Sequence, residues 1–169
     1  MNISIRQLTE SDWLVLSRVR LRALQTDPSV FGSNYEAESK LTESAWRKWF
    51  DTDKTAIFMI FDGQTPVGMT SISVYRDDPT NRTAIMWGSW LEPHMRGKGL
   101  SEMMYGSRIN WANVHPTIEK IIVSHRASNL SSKYANQKHG FSPTGITERL
   151  WPDGIREEEF HYELKLSRK

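Results

Sequence analysis

A strand-like run, a glycine-rich loop, a helix-like run and a second strand-like run follow one another directly in the second half of the chain. The runs span residues 83–91, 93–99, 100–111 and 118–125. A unit of this kind brings its two strands together in parallel, with the helix as a right-handed crossover. The sequence therefore predicts a sheet that contains at least one parallel strand pair.

The remaining strand-like runs are joined by short turns. Residues 55–61 and 66–75 flank Asp62-Gly63, and residues 141–150 and 157–166 flank Pro152-Asp153-Gly154. Short turns of this composition connect antiparallel strands. Together with the parallel pair they predict a twisted mixed sheet, an α+β fold in one domain over residues 1–169.

Helical patterns supply the other layers. After a strand at residues 3–7, Thr9 and Asp12 resemble a helix start, and the helix is expected to end at Asp27-Pro28. Thr42 opens a second short helix, with residues 30–39 predicted as a loop between the two. A last helix over residues 129–139 ends at Gly140, a residue type typical of helix C-termini.

Composition excludes several classes of protein. Twenty-two basic and 20 acidic residues are too balanced to indicate a nucleic-acid partner. There is no cysteine for a thiol nucleophile or a disulfide, and the five histidines lack paired metal-ligand spacing. No apolar run approaches the roughly 20 residues of a membrane helix, and no signal peptide is recognisable. We expect a cytoplasmic protein, monomeric or homodimeric, without a metal or a membrane partner.

The loop before the crossover helix has the properties of an anion cradle. Gly97 and Gly99 let the backbone approach a ligand, and the first turn of the helix offers free N–H groups with roughly half a positive charge. A phosphate fits there, and Arg96 and Lys98 add full charges. A P-loop is excluded because Glu92 replaces its first glycine, and a dinucleotide fingerprint is excluded because residue 102 is glutamate. A hydrolase elbow of the Gly-x-Ser-x-Gly type is absent.

Two motifs carry a family resemblance. The segment Arg96-Gly97-Lys98-Gly99-Leu100-Ser101 resembles the Gln/Arg-x-x-Gly-x-Gly/Ala loop of the GNAT superfamily of N-acetyltransferases, with Ser101 where Gly or Ala is usual. The spacing from Asn129 to Gly140-Phe141 matches the second motif of the family. The predicted element order also agrees, so the resemblance covers nearly the whole chain.

The resemblance implies an acetyl-CoA site. Backbone N–H groups of residues 96–101 would hold the pyrophosphate, and the strand at Trp90 and Leu91 would splay from its neighbour and pair with the pantetheine arm. Asn129 and Ser132 would touch that arm. The implied cofactor contacts are Trp90, Leu91, Arg96, Gly97, Lys98, Gly99, Leu100, Ser101, Asn129, Ser132 and Asn136.

The catalytic residues of the family do not all carry over. Asn136 occupies the position where many members have a tyrosine that protonates the leaving thiolate. Ser124 stands where some members have a glutamate, and the strand before the loop offers no carboxylate. Glu36 and Glu38, in the loop between the first two helices, are the candidates for substrate contact or for the general base, with Asn136 as a hydrogen-bond donor to sulfur. The residues expected to line the acceptor site are Phe31, Tyr35 and Trp87.

The resulting prediction is an N-acetyltransferase that moves an acetyl group from acetyl-CoA to a primary amine, with a small molecule as the acceptor. Three alternatives stay open: a protein or peptide acceptor, an acyl group other than acetyl, and a CoA-binding sensor of weak activity, which the missing acid and bases suggest. Turnover with a panel of amines separates them.

Overall fold

A seven-stranded mixed sheet organises the chain, in the order β1-β2-β3-β4-β5-β7-β6. The structure is a computed structural model that describes residues 1–51 and 53–167. Of the six strand pairs among the described residues, five are antiparallel and the pair of β4 and β5 is parallel, as the sequence predicts. The strands are β1 (Ile3–Gln7), β2 (Thr55–Asp62), β3 (Thr65–Val74), β4 (Thr83–Leu91), β5 (Lys120–Arg126), β6 (Ser142–Leu150) and β7 (Arg156–Lys165).

Five α-helices cover the sheet: α1 (Trp13–Thr26), α2 (Tyr35–Glu38), α3 (Glu43–Arg47), α4 (Ser101–Val114) and α5 (Leu130–Lys138). Thr9 and Asp12 do mark the start of this region, but they cap a 3-10 turn, Glu10–Asp12, in which the Thr9 N–H donates to Asp12 Oδ2 at 2.8 Å, and α1 follows directly from it. The prediction of a loop over residues 30–39 misses α2. This helix has only four residues, too few for an apolar period, and Asn34 Oδ1 caps it through the Ala37 N–H at 2.8 Å.

The two faces of the sheet bury separate cores. Leu16 and Leu24 of α1 pack with Met59 and Met69 on one face. On the other face, Tyr105 and Ala112 of α4 pack with residues such as Met86, Ile121 and Tyr162. Alternation along each strand decides which residue joins which core.

Helix α4 buries a different row of side chains from the one that its apolar pattern indicates. The pattern favours Leu100, Met103, Met104, Ser107 and Trp111, whereas the buried residues are Met104, Tyr105, Arg108 and Ala112. The helix is therefore rotated so that a tyrosine and an arginine face the sheet.

Strands β4 and β5 pair over a short distance and then separate. Their register consists of Thr83 with Lys120, Ala84 with Ile121 and Ile85 with Ile122. On its other side β4 carries one extra residue relative to β3, because Met69 lies opposite Trp90 while Ser71 lies opposite Trp87. Gly88 takes a φ of 66° at this bulge, a conformation that suits glycine. The bulge bends β4 away from β5.

Within the described residues, no helix combines the length and apolarity needed to cross a membrane.

Candidate active site

A cleft opens where β4 and β5 part. Its volume is about 100 Å³, and residues from both faces of the sheet line it. Val30, Phe31 and Trp87 approach from the α1 side, while Tyr105, Arg108 and Asn136 approach from the α4 and α5 side. The cleft thus connects the two faces through the sheet, at the place where parallel strands leave backbone groups without a neighbour.

The loop that leads into α4 has the geometry of an anion site. Gly97 and Gly99 have φ angles of 71° and 77°, and a Cβ placed on either would meet no atom within 4 Å. Among the described residues, the backbone N–H groups of residues 97–100 donate to no protein acceptor. The open space and the free donors at a helix start fit a phosphate group.

The side chain of Arg96 is engaged within the protein. Its guanidinium forms an ion pair with Asp27 and donates to the Leu91 carbonyl at 3.0 and 3.1 Å. Burial raises the pKa of Asp27, but hydrogen bonds from Arg96 and from the Trp90 indole outweigh it, so the pKa lies below its ordinary value. The positive charge that the sequence predicts at the loop is therefore neutralised by Asp27. The backbone of Arg96 still forms part of the loop.

The other charged and polar residues of the loop and of α5 have local roles. Lys98 Nζ lies 3.7 Å from Met1 Sδ, and Ser101 Oγ lies 3.4 Å from His139 Nε2. Asn129 caps α5, since its Oδ1 accepts from the Ser132 N–H at 3.1 Å. Asn129 and Ser132 both line the cleft, so a cap and a ligand contact are compatible there.

Asn136 lies in a small buried polar group. Its Oδ1 accepts a hydrogen bond from the Tyr105 hydroxyl at 2.5 Å, and its Nδ2 has no partner among the described residues. Arg108 stacks over the Tyr105 ring with Cζ 4.6 Å from the centroid, and its Nη1 donates to Ser89 Oγ at 2.8 Å. Burial raises the pKa of Tyr105 above its ordinary value, although the Arg108 charge opposes the rise.

Sequence reasoning misses Tyr105 and Arg108. Both stand in a helix where polar residues ordinarily face water, and the apolar pattern assigns the buried face to other positions. A signal is present nevertheless: Tyr105 and Arg108 are three residues apart, so they share a helix face, and Met104 and Ala112 continue that face.

The predicted acceptor residues divide into two groups. Phe31 and Trp87 line the cleft, whereas Tyr35, Glu36 and Glu38 stand outside its lining. Glu36 is exposed beside Lys40. Glu38 is buried, and Arg20 donates to its two carboxylate oxygens at 2.8 and 2.9 Å.

A second carboxylate lies closer to the cleft and is also missed from the sequence. Ser124, a cleft residue, donates to Glu159 Oε1 at 2.7 Å, and Arg149 donates to the same oxygen at 3.0 Å. Ser124 and Glu159 also line a groove of about 550 Å³ with Ile85, Thr147 and His161. Glu159 belongs to the run Glu157-Glu158-Glu159, in which strand alternation sends only every second side chain to this face.

His125 packs on the opposite side of β5 from Ser124, as alternation predicts. Its Nδ1 lies 2.7 Å from the Arg126 carbonyl oxygen and its Nε2 lies 3.0 Å from the Tyr162 hydroxyl. Burial lowers the pKa of His125, with a smaller contribution from the Lys133 charge. No group of three or more candidate metal ligands occurs in the described part of the chain.

A sheet that splays around a cleft, next to a glycine-rich loop with free N–H donors at a helix start, is the arrangement expected of a transferase that takes an acyl group from a CoA thioester. The model of the acetyltransferase (GNAT) domain matches residues 2–142, and the chain belongs to this family of acetyl-CoA-dependent acyltransferases. A comparison with curated protein sequences finds no match.

Solved structures share the fold over almost the entire chain. A GNAT-family acetyltransferase from Streptococcus pneumoniae superposes with a TM-score of 0.83 at 18% identity, over 98% of this chain and 100% of that one. The Salmonella typhimurium protein yncA, solved with its cofactor acetyl-CoA, gives a TM-score of 0.82 at 15% identity, over 100% and 96%. A ribosomal-protein-alanine N-acetyltransferase from Brucella melitensis gives a TM-score of 0.79 at 18% identity, over 96% of this chain and 99% of that one. The predicted mixed sheet and fold family are confirmed.

Proposed function

We propose that the protein transfers the acetyl group of acetyl-CoA to a primary amine of a small molecule. The cleft carries this proposal, because it is lined from both faces of the sheet and lets two reactants meet from opposite sides. Acetyl-CoA would enter from the α4 and α5 side, with its pyrophosphate at residues 96–101 and its arm along Trp90 and Leu91. Asn129, Ser132 and Asn136 would contact the arm near the thioester.

The groove on the other face supports a small acceptor. Its volume of about 550 Å³ lies in the range of pockets that bind small molecules, about 300–1,000 Å³. The Glu159 carboxylate at the junction with the cleft would attract the ammonium group of the acceptor. Phe31 and Trp87 would enclose the approaching amine.

The reaction is direct attack of the amine nitrogen on the thioester carbonyl. Holding both reactants in one cleft replaces a bimolecular encounter by an intramolecular one. An alkylamine of pKa about 10.4 must lose its proton first, which costs roughly 4–5 kcal/mol at pH 7. The groove is open, so that proton would pass directly to solvent.

A screen of acceptors tests the proposal. Acetyl-CoA is incubated with the protein and with panels of small amines and of peptides with free N-termini or lysines, and products are read by mass spectrometry. We expect acetylation of small amines, and a Glu159→Gln variant should raise the KM for the amine more than it lowers kcat. Acetylation of peptides alone would replace the small-molecule acceptor by a protein, and binding of acetyl-CoA without any turnover would favour the sensor.

A further inference from the structure

Arg108 is a buried cation that forms no ion pair with the described residues. Its side chain is among the largest fully buried ones, and Nη2 has no hydrogen-bond partner among the described residues. The groups that it contacts are neutral: Nε donates to the Met104 carbonyl at 3.1 Å, Nη1 donates to Ser89 Oγ at 2.8 Å, and the guanidinium also interacts with the Tyr105 phenol. Burial lowers the pKa of Arg108 to about 10, so the guanidinium stays charged at neutral pH.

A charge in such a place is costly unless an anion joins it. Within residues 1–51 and 53–167, no carboxylate forms an ion pair with Arg108, and its stacking partner Tyr105 is a neutral phenol. The free Nη2 belongs to a side chain that lines the cleft between β4 and β5. The missing anion is therefore expected to come from whatever occupies the cleft.

Asn136 supplies a second free donor at the same place. It is 1% exposed, and the Tyr105 hydroxyl donates to its Oδ1 at 2.5 Å. Because Oδ1 accepts this hydrogen bond, the orientation of the Asn136 amide is defined. The atom without a hydrogen-bond partner among the described residues is therefore the Nδ2 donor. Tyr105 thus contacts both residues, and both leave one N–H donor unsatisfied.

We propose that Arg108 and Asn136 hold the sulfur of CoA as a thiolate anion. The inference rests on the proposed function and adds to it the fate of the leaving group. When the amine forms its bond to the thioester carbon, the carbon–sulfur bond breaks and its electron pair remains on sulfur. Starting from the neutral amine, the nitrogen loses one further proton to the groove and solvent as the amide forms, so the products of this step are the amide, the CoA thiolate and one proton.

Charge stabilisation can replace protonation here. A thiol with an ordinary pKa of about 8.5 falls to roughly 3.5–7.5 beside a cation or a helix N-terminus. A thiolate beside Arg108 would then be the stable form at pH 7. This arrangement explains how a chain with asparagine at residue 136 can release the thiol without an acid at that position. Tyr105 acts as a positioning residue, because it orients the Asn136 amide.

The test is a pH titration of CoA bound to the intact protein. Thiolate absorbance in the ultraviolet reports ionisation, and the chain has no cysteine, so CoA is the sole source of the signal. Desulfo-CoA, which lacks the thiol, serves as the blank for tyrosine ionisation. We expect the thiol pKa in the complex to lie at least one unit below that of free CoA, which corresponds to at least about a tenfold gain in CoA affinity on thiol ionisation.

Variants assign the effect to residues. Arg108→Met should return the thiol pKa to the free value or above, Arg108→Lys should keep part of the shift, and Asn136→Leu and Tyr105→Phe should each remove a smaller part. Because Arg108 has no anionic partner among its contacts, the Met variant should fold with an unchanged or higher Tm. If the Met variant does not fold, the thiol pKa measured in the wild-type complex and in Asn136→Leu tests the proposal instead.

The outcomes separate the inference from the proposed function. CoA that binds with an unshifted thiol pKa would overturn the inference and leave acetyl transfer standing. No binding of CoA or acetyl-CoA would remove the proposed function itself. If Arg108→Met weakens succinyl-CoA much more than acetyl-CoA and leaves the thiol pKa unchanged, the guanidinium binds a carboxylate on the acyl group, and the thiolate role is wrong.

Discussion

At the scale of single residues, the buried ion pair of Arg20 and Glu38 raises the question of whether the Glu38 carboxylate serves catalysis or stability. Both side chains are less than a tenth exposed, and Arg20 also stacks on Phe31 and Trp49. Removing one partner of a buried ion pair leaves the other charge uncompensated, which costs about 3–5 kcal/mol. Glu38 is therefore expected to support the fold of the α1 and α2 region.

We predict that Glu38→Gln lowers the free energy of unfolding by about 3 kcal/mol in urea denaturation. The matched control is Glu36→Gln, whose carboxylate is exposed and whose loss should change stability by less than about 0.5 kcal/mol. A Glu38→Gln protein of wild-type stability that has lost turnover would instead make Glu38 the catalytic carboxylate that the sequence suggests.

The buried His125 and the half-buried His139 make stability depend on pH. Burial lowers the pKa of His125 and of His139. Below about pH 6.5 the unfolded chain therefore binds more protons at these sites than the folded chain, and stability falls as the pH falls. Each histidine contributes a slope of at most about 1.4 kcal/mol per pH unit.

We predict that urea unfolding at pH 7.5, 6.5 and 5.5 gives progressively lower stability. His125→Gln should flatten the dependence, because glutamine does not titrate. An unchanged slope in His125→Gln would mean that this residue is not a source of the pH dependence.

At the scale of elements, patterns that extend over a whole strand or helix are readable from the sequence. Strand β1 alternates, α1 has a cap and a period, and the loop before α4 has its glycines, so all three are predicted. Helix α2 is not, because four residues carry no period and its cap is a single asparagine. The burial of Arg108 is not predicted either, because arginine is rarely buried without an ionic partner. Its position follows only from how α4 packs on the sheet.

The loop before α4 gives a test at this scale. We predict that Gly99→Trp abolishes binding of acetyl-CoA, because an indole would fill the space that a phosphate needs. The positive φ adds a strain of about 1–2 kcal/mol, which the fold should tolerate. Isothermal titration calorimetry measures the binding.

The matched control for that variant is Gly63→Trp. Gly63 has a φ of 60° and open surroundings like Gly99, but it lies in the turn between β2 and β3. It carries the same kind of strain away from the cleft, so acetyl-CoA affinity should be unchanged. Equal affinity in the Gly99 and Gly63 variants would mean that the loop before α4 is only a turn.

At the scale of the whole molecule, the sheet consists of two parts that meet along a short seam. Strands β1 to β4 form one part and β5 to β7 the other, and three register pairs join β4 to β5. Beyond Ile85 and Ile122 the two strands no longer pair, and the cleft lies between them. A ligand in the cleft would therefore bridge the two parts through hydrogen bonds that the protein itself does not make.

Binding of acetyl-CoA should consequently stabilise the molecule and protect the edges of the cleft. At a free ligand concentration 100 times Kd, the gain of about 2.7 kcal/mol corresponds to a rise in Tm of roughly 5–10 °C for a chain of this size. Hydrogen exchange should slow at residues 86–91 of β4 and 123–126 of β5, as well as at the start of α4. Desulfo-CoA keeps the phosphates and the pantetheine arm, so it should protect the same strand segments although it lacks the acetylated sulfur. Protection confined to the start of α4 would mean that the ligand is held by its phosphates alone, and that the cleft does not receive its arm.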